Sequence, residues 1–415
     1  MRERLRGRCA LWLALLALAG WLCGCAGERA QKPAAPPAPA AMTASAAARP
    51  GLFYYGRSLL DGGEQEAYDL VCARLEGWAL GEVPLDPALP DGGMERVWSA
   101  VVADRPDFYW ADCAYPEAGT VSAVTLGTAD GLTVEQARER RRKLEAAADA
   151  LLAGVGGPGT EVAAAVHDAL LGVLDYEYGV HDADSGNVYG ALVRGRGVCG
   201  AYSRGYQYLM QRAGIPCFHI SEVSGRGIPH SWVAVLLEDG WYYVDPTWDD
   251  LPDERGYLYH DYLLVTKAEM DLNHSADPSG FGTLPKADSD RLNYYRYYGY
   301  CVDPAQGGDP IEALAAGFAR QLEDKAGLLA ELPQPVFLEV KVLGSYEDYL
   351  RVRAQFERDL FPLLEALSRR LSEDGLPIGV ETTGQVLFSG NDNTQVLTLR
   401  PRAFRTEEER SVSHE

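Results

Sequence analysis

The apolar residues of this chain change their repeat at Pro216, and that change constrains the fold more than any other feature. Before it, Tyr202, Tyr206, Leu209, Met210 and Ala213 recur at helical spacing, and Gly214 then Pro216 end the run as helices usually end. After it, Cys217 to Val223, Ser231 to Leu237 and Trp241 to Val244 are short runs of β-branched and aromatic residues, with Glu238-Asp239-Gly240 as a hairpin signal between the last two. A helix followed by an antiparallel sheet is the expected result.

Reactive side chains stand at the ends of these elements. Residues 195–199 read Gly-Arg-Gly-Val-Cys, so Cys199 opens the helix, where free backbone N–H groups and the macrodipole favour a thiolate. His230 begins one strand and Asp245 ends the next, which puts both at one end of the sheet. The register sets a difficulty. A two-residue Asp239-Gly240 turn pairs 238 with 241, sets His230 opposite Asp249, and leaves Asp245 four residues away, opposite Ala234. Either a bulge or a different turn brings Asp245 to His230, or Asp249 is the partner.

The run from Tyr189 to Cys199, the His230-Ser-Trp232 pair and the Asp245-Pro-Thr-Trp-Asp249 box resemble the transglutaminase-like superfamily, in particular its bacterial secreted members. His167-Asp168 through Tyr176 is similar to the helix and tyrosine that precede the family's core, and Tyr262-Leu-Leu-Val-Thr266 with His274 to its closing segment, so the resemblance spans roughly residues 160–300. It implies a papain-like α+β fold, with the nucleophile on a helix packed against the antiparallel sheet that carries base and acid. The family's nucleophile, base and orienting carboxylate carry over to Cys199, His230 and Asp245, which favours Asp245 over Asp249 and a bulge in the hairpin. One departure is that Gly-Ala-Tyr202 follows Cys199 where many relatives have a polar residue before a Gly-Tyr pair.

The expected chemistry is attack of Cys199 on an amide carbon, with His230 as base and acid and Asp245 setting its tautomer. Water as second nucleophile makes a cysteine protease or amidase, a hydrolase; a primary amine makes a transglutaminase, an acyltransferase. The Cys199 N–H and a second donor would hold the oxyanion, with Tyr189 and Trp232 as candidates for that or for substrate contact. The expected partner is a peptide or protein substrate, cell-wall peptide included. The rival is a non-catalytic adaptor that keeps the fold to bind peptides or cell-wall stems, and the intact thiol, imidazole and carboxylate argue against it.

No metal or cofactor is expected. The chain has no Cys-x-x-Cys or His-Glu-x-x-His spacing, and Cys217 and His219 share one face of a buried strand. The run Gly154 to Gly159 lacks the Lys-Ser/Thr of a phosphate loop and reads as a boundary. Asp249-Asp250-Leu-Pro-Asp253-Glu254 reads as a solvated loop.

Arg2, Arg4, Arg6 and Arg8 precede an apolar run from Cys9 to Leu22, as in a secretory signal. Leu22-Cys-Gly-Cys25 resembles the bacterial lipoprotein box, which implies cleavage after residue 24 and lipidation of Cys25. Localisation at the extracytoplasmic face of a bacterial membrane follows. Residues 25–50, rich in Ala and Pro, would form a tether. The net charge is −22, and loss of residues 1–24, with four Arg and one Glu, leaves −25. So acidic a chain is unsuited to nucleic acid. Cys72, Cys113, Cys217 and Cys301 remain for two disulfides or for free core thiols.

The expected domains are a mixed helical and strand region at 51–155, the catalytic domain at 156–305, a small β-α-β-β domain at 310–403 and a disordered tail at 404–415. In the first, residues 65–80 and 93–102 have helical spacing, 105–110 is an aromatic loop or strand, and 121–126 a strand. A helix from Val134 carries a Thr133/Gln136 capping box, and Arg138 to Lys143 form its solvated basic face. In the last, strands at 336–342, 378–388 and 394–399 surround one long helix at 346–371.

Overall fold

The computed structural model describes residues 51–223, 229–250, 257–274, 283–383 and 386–406. They divide into two units, one of residues up to 259 with 273–288, the other of 260–272 with residues from 289 onward. The signal, the tether, most of the acidic loop after Asp250 and residues 407–415 lie outside the described residues.

The first unit begins with α1 (Tyr55–Ser58), α2 (Gly62–Glu76), β1 (Gly81–Leu89), α3 (Gly93–Asp104), β2 (Ala111–Ala114), β3 (Val121–Thr128) and α4 (Val134–Leu151). Capping boxes start α2 at Asp61/Glu64 and α4 at Thr133/Gln136. The three strands form an antiparallel sheet in the order β1-β3-β2. Strand β1 was not expected because Pro84 and Pro87 interrupt it; it tolerates them as an edge strand. The aromatic run 105–110 makes a short 3-10 turn at Pro106–Phe108, and Trp110 is buried as β2 begins.

The basic face of α4 is not all solvated. The Arg140 guanidinium lies 3.8 Å over the Tyr189 ring and pairs with Asp184, while Arg141 bonds Glu145 at 3.0 Å and lies 3.5 Å from Asp107. These arginines clamp segments far apart in sequence, which periodicity within one helix cannot reveal.

The same unit continues with α5 (Gly159–Leu171), β4 (Asp175–Tyr176), β5 (Arg196–Gly197), α6 (Cys199–Arg212), β6 (Cys217–Val223), β7 (Pro229–Leu237), β8 (Gly240–Val244) and α7 (Pro246–Asp249). Strands β6, β7 and β8 are antiparallel in that order, and a parallel β4-β5 pair leads into α6. Tyr202, Tyr206, Leu209 and Met210 are buried along α6, as their spacing requires. The glycine run at 154–159 does not separate two compact units. The buried amides of Gln207 and Gln211 on α6 donate to the carbonyls of Ala103 and Asp104 at the end of α3, so the N-terminal helices and the nucleophile helix share one unit.

The second unit comprises α8 (Lys267–Met270), α9 (Tyr294–Tyr298), β9 (Cys301–Val302), α10 (Pro310–Asp324), β10 (Gln334–Pro335), β11 (Leu338–Val342), α11 (Tyr346–Arg358), α12 (Leu360–Glu373), β12 (Ile378–Val380), β13 (Leu387–Asn391), β14 (Val396–Arg400) and β15 (Arg402–Arg405). Its sheets run β13-β14-β11-β9 and β10-β15-β12, and Phe318, Phe356, Leu367, Val340 and Leu397 share its core. Residues 260–272 join this unit through buried polar pairs: His260 with Glu339 at 2.9 Å, and Lys341 with Glu269 at 2.7 Å. That places the end of the expected 156–305 domain in the C-terminal unit.

Two expectations for this unit are corrected. The helix at 346–371 is broken at Asp359, because Pro362 has no N–H to donate toward Arg358 and its ring crowds that carbonyl. The strand at 378–388 is two strands, and α10 adds a helix that the β-α-β-β pattern lacked. Cys72, Cys113, Cys217 and Cys301 are all free thiols, so the disulfide alternative is overturned.

Candidate active site

Val198 caps α6 in an extended conformation and Cys199 is its first residue. In that first turn the N–H groups of Cys199 and Gly200 have no acceptor among the described residues, as expected where no preceding turn supplies carbonyls. Ser203, one turn on, accepts or donates to Ser231 at 3.0 Å and donates to the Cys199 carbonyl at 2.9 Å. Ser231 adjoins His230. The serine pair therefore pins the start of α6 to the start of β7 and brings thiol and imidazole together.

The hairpin meets the register problem without a bulge. Leu237 pairs with Gly240 and Val233 with Val244, so the turn is Glu238-Asp239 rather than Asp239-Gly240. Gly240 takes a φ of +147°, open to glycine but strained for other residues, and this fits the backbone to the earlier turn. Continued by one step, the register sets Asp245 opposite Trp232. His230 is two residues before Trp232 on the same face, so His230 and Asp245 are diagonal neighbours, within side-chain reach.

That diagonal closes as a hydrogen bond of 2.6 Å between His230 Nε2 and Asp245 Oδ2. The Cys199 side chain bonds the same imidazole, for which Nδ1 is the nitrogen left. Asp245 is fully buried, and its Oδ1 accepts the Thr247 N–H at 3.0 Å. Burial alone would raise its carboxyl, but the charge and hydrogen bond of His230, then those of His274, hold it well below the usual range. Burial alone would lower His230, but Asp245 first and Cys199 second raise it to about 10. The imidazolium is therefore the resting form at neutral pH.

Asp249, the other carboxylate the turn count allowed, is taken elsewhere. It is fully buried, and its Oδ2 lies 3.1 Å from Nε2 of the equally buried His167, whose Nδ1 is 3.1 Å from Asp168. Burial opposes the charge on His167, but its hydrogen bonds to Asp168 and Asp249 outweigh it and raise its pKa.

Sequence reasoning assigned no role to His274, which stands 29 residues beyond Asp245. Its Nε2 lies 2.9 Å from Asp245 Oδ2, the oxygen that also bonds His230. Trp232 and Trp248 complete the surroundings, with Trp232 edge-on to His274 at 4.8 Å and Trp248 4.3 Å from it. Trp232 is buried beside His230, and its Nε1 has no acceptor among the described residues. The Tyr189 ring instead stacks on Tyr109 and carries Arg140, which places it in the clamp with α4. Tyr176 faces Cys199 electrostatically, and the Tyr202 hydroxyl donates to Asp250.

His230, Asp245 and His274 present three ligating atoms within 4.8 Å of one another. Both Nε2 atoms lie within hydrogen-bond distance of the same carboxylate oxygen, Asp245 Oδ2. Cys217 and His219 are both buried on β6. Burial pushes the thiol well up and, with the nearby charge of Arg204, the imidazole well down, so both stay neutral.

The raised His230 has a consequence for stability. Its contribution is complete below the ordinary imidazole value of 6.5 and is lost as pH rises through about 10. The unfolding midpoint is expected to decline over that interval, and His230→Asn should flatten the decline. Thermal denaturation of both proteins at pH 6, 8 and 10 measures it; parallel declines would refute the assignment.

Residues 145–246 match the sequence model of the transglutaminase-like superfamily, a span that contains Cys199, His230 and Asp245. No curated protein matches the chain. Among solved structures, similarity is found to a TGase (12% identity, 32% of this chain and 43% of that one, TM-score 0.26). It is also found to a candidate cysteine protease from Cytophaga hutchinsonii (12% identity, 31% and 51%, TM-score 0.22). A third likeness is to the periplasmic domain of TgpA from Pseudomonas aeruginosa (18% identity, 35% and 66%, TM-score 0.22). The chain spans about half the length, or less, of the first two. The family match, and not these partial overlaps, identifies residues 145–246 as a transglutaminase-like superfamily domain of α+β architecture.

Proposed function

We propose that this domain transfers acyl groups from peptide or protein amides through a thioester on Cys199, with His230 as base and acid and Asp245 as the orienting carboxylate. One observation carries the reading: a single imidazole is bonded to a buried carboxylate at 2.6 Å and to a thiol at a helix N-terminus. In the first step the Cys199 thiolate forms a C–S bond to the amide carbon, and the carbonyl electron pair moves to oxygen. The N–H groups of Cys199 and Gly200, which have no acceptor among the described residues, are backbone donors available to that oxyanion, and Trp232 Nε1 offers a side-chain donor beside His230. Collapse breaks the C–N bond, and the leaving amine takes its proton from His230. In the second step His230 removes a proton from water or from a primary amine, whose attack breaks the C–S bond and restores the thiolate.

The same proposal places the chain on the outer face of a bacterial membrane, tethered through lipid on Cys25. The basic and apolar residues 2–22, the Leu22-Cys-Gly-Cys25 box and the Ala/Pro segment to residue 50 support it. Among the described residues no helix is long and apolar enough to cross a membrane.

Iodoacetamide tests the chemistry. At pH 6 it is expected to alkylate Cys199 far faster than the buried Cys217, and His230→Ala should slow the labelling of Cys199. Equal, slow labelling of both thiols in the unaltered protein would sink the catalytic reading. Capture of the acyl-enzyme, followed by added primary amine, then separates hydrolysis from transamidation by the product formed.

A further inference from the structure

Asp245 sits between two histidines, and the proposed triad of thiol, imidazole and carboxylate accounts for one. We propose that His274 is a positioning residue for Cys199 chemistry, holding the Asp245 carboxylate in the orientation that His230 requires. This rests on the reading above and deepens it.

The geometry leaves Asp245 little freedom. Its Oδ1 accepts one backbone N–H, from Thr247 at 3.0 Å, while Oδ2 accepts from His230 at 2.6 Å and faces His274 Nε2 at 2.9 Å. The carboxylate is fully buried, so no solvent replaces a lost donor. Without His274, rotation of the carboxylate would break one strong bond at Oδ2; with it, rotation breaks two. His274 is itself fixed. Its Nδ1 lies 2.7 Å from Asn273 Oδ1, and its ring is held by Trp232, two residues past His230, and by Trp248, three residues past Asp245. The strand that carries the base and the helix that follows the acid thus both set the second imidazole. Packing alone would accept any ring here, whereas an N–H directed at Oδ2 requires a donor.

Among the described residues, Cys199 on α6 and Tyr176 on β4 face the cluster. Burial first, and the charge of Cys199 second, push the Tyr176 hydroxyl up to about 12, so it stays neutral through the acid and neutral range.

The test uses the full chain and iodoacetamide, with labelling of Cys199 followed from pH 5 to 9. His274→Phe keeps a ring and removes the donor; His274→Gln restores a side-chain N–H. The phenylalanine variant is expected to label about 10- to 100-fold more slowly at pH 6, the scale known for losing a partner that orients a metal-bound histidine or carboxylate. Its rate should rise more steeply with pH than that of the unaltered protein. Glutamine should recover most of the loss at a similar unfolding midpoint. Should the phenylalanine variant not fold, His274→Ala with free imidazole in the buffer serves instead, and rescue of labelling is expected. Undiminished labelling of His274→Phe overturns the proposal, as do equal losses in Phe and Gln that track lowered unfolding midpoints, or a folded His274→Ala that imidazole leaves unchanged. Slow labelling of the unaltered protein sinks the thiol–imidazole pair itself, which distinguishes failure of the function from failure of this inference.

Discussion

Asp245→Asn is expected to slow acylation of Cys199 by about 10⁴-fold, the scale seen when a triad carboxylate becomes an amide. The reason lies in the donors around it. Oδ1 receives the Thr247 N–H, and Oδ2 meets the Nε2 atoms of both His230 and His274, so three polar contacts converge on a group that only accepts. An asparagine must turn its amide N–H toward Thr247 or toward the two imidazoles, and either choice sets donor against donor. The charge that raises His230 is removed as well. Burst release from a p-nitrophenyl ester measures the acylation rate, with Cys199→Ala as the blank. A loss of less than tenfold would show that Asp245 neither orients nor charges His230.

Asp249→Ala should act on stability instead, lowering the unfolding free energy by about 3–5 kcal/mol, the cost typical of removing one partner from a buried ion pair. Both Asp249 and His167 are fully buried and 3.1 Å apart, and His167 is raised toward its charged form. The pair ties α5 to the end of α7, the short helix that begins next to Asp245. Urea denaturation reads the loss. The folded fraction should still alkylate at Cys199, because Asp249 makes no contact with His230 among the described residues. A variant that keeps its stability but loses thiol reactivity would return Asp249 to the role the simple turn count allowed.

These two aspartates show how far the sequence could be read. The switch from helical to strand periodicity at Pro216 places Cys199 at a helix start and His230 and Asp245 at one end of a hairpin, because both patterns are local. The choice of carboxylate depended on one residue in the turn. Moving it from Asp239-Gly240 to Glu238-Asp239 shifts Asp245 from four residues off His230 to a diagonal two, and the bulge becomes unnecessary. The break before α12 was also local, since Pro362 marks it, yet the apolar spacing on either side hides it.

By itself, then, the sequence determined what short-range forces decide: where α6 and the hairpin lie, and which thiol and imidazole stand at their ends. The tertiary structure alone decided what depends on distant segments meeting. It set His274 on Asp245 across 29 residues, His167 on Asp249 across 82 and Arg140 on Asp184 across 44. A buried charge must find its partner wherever the chain brings one, and no repeat along the sequence records which segment that will be.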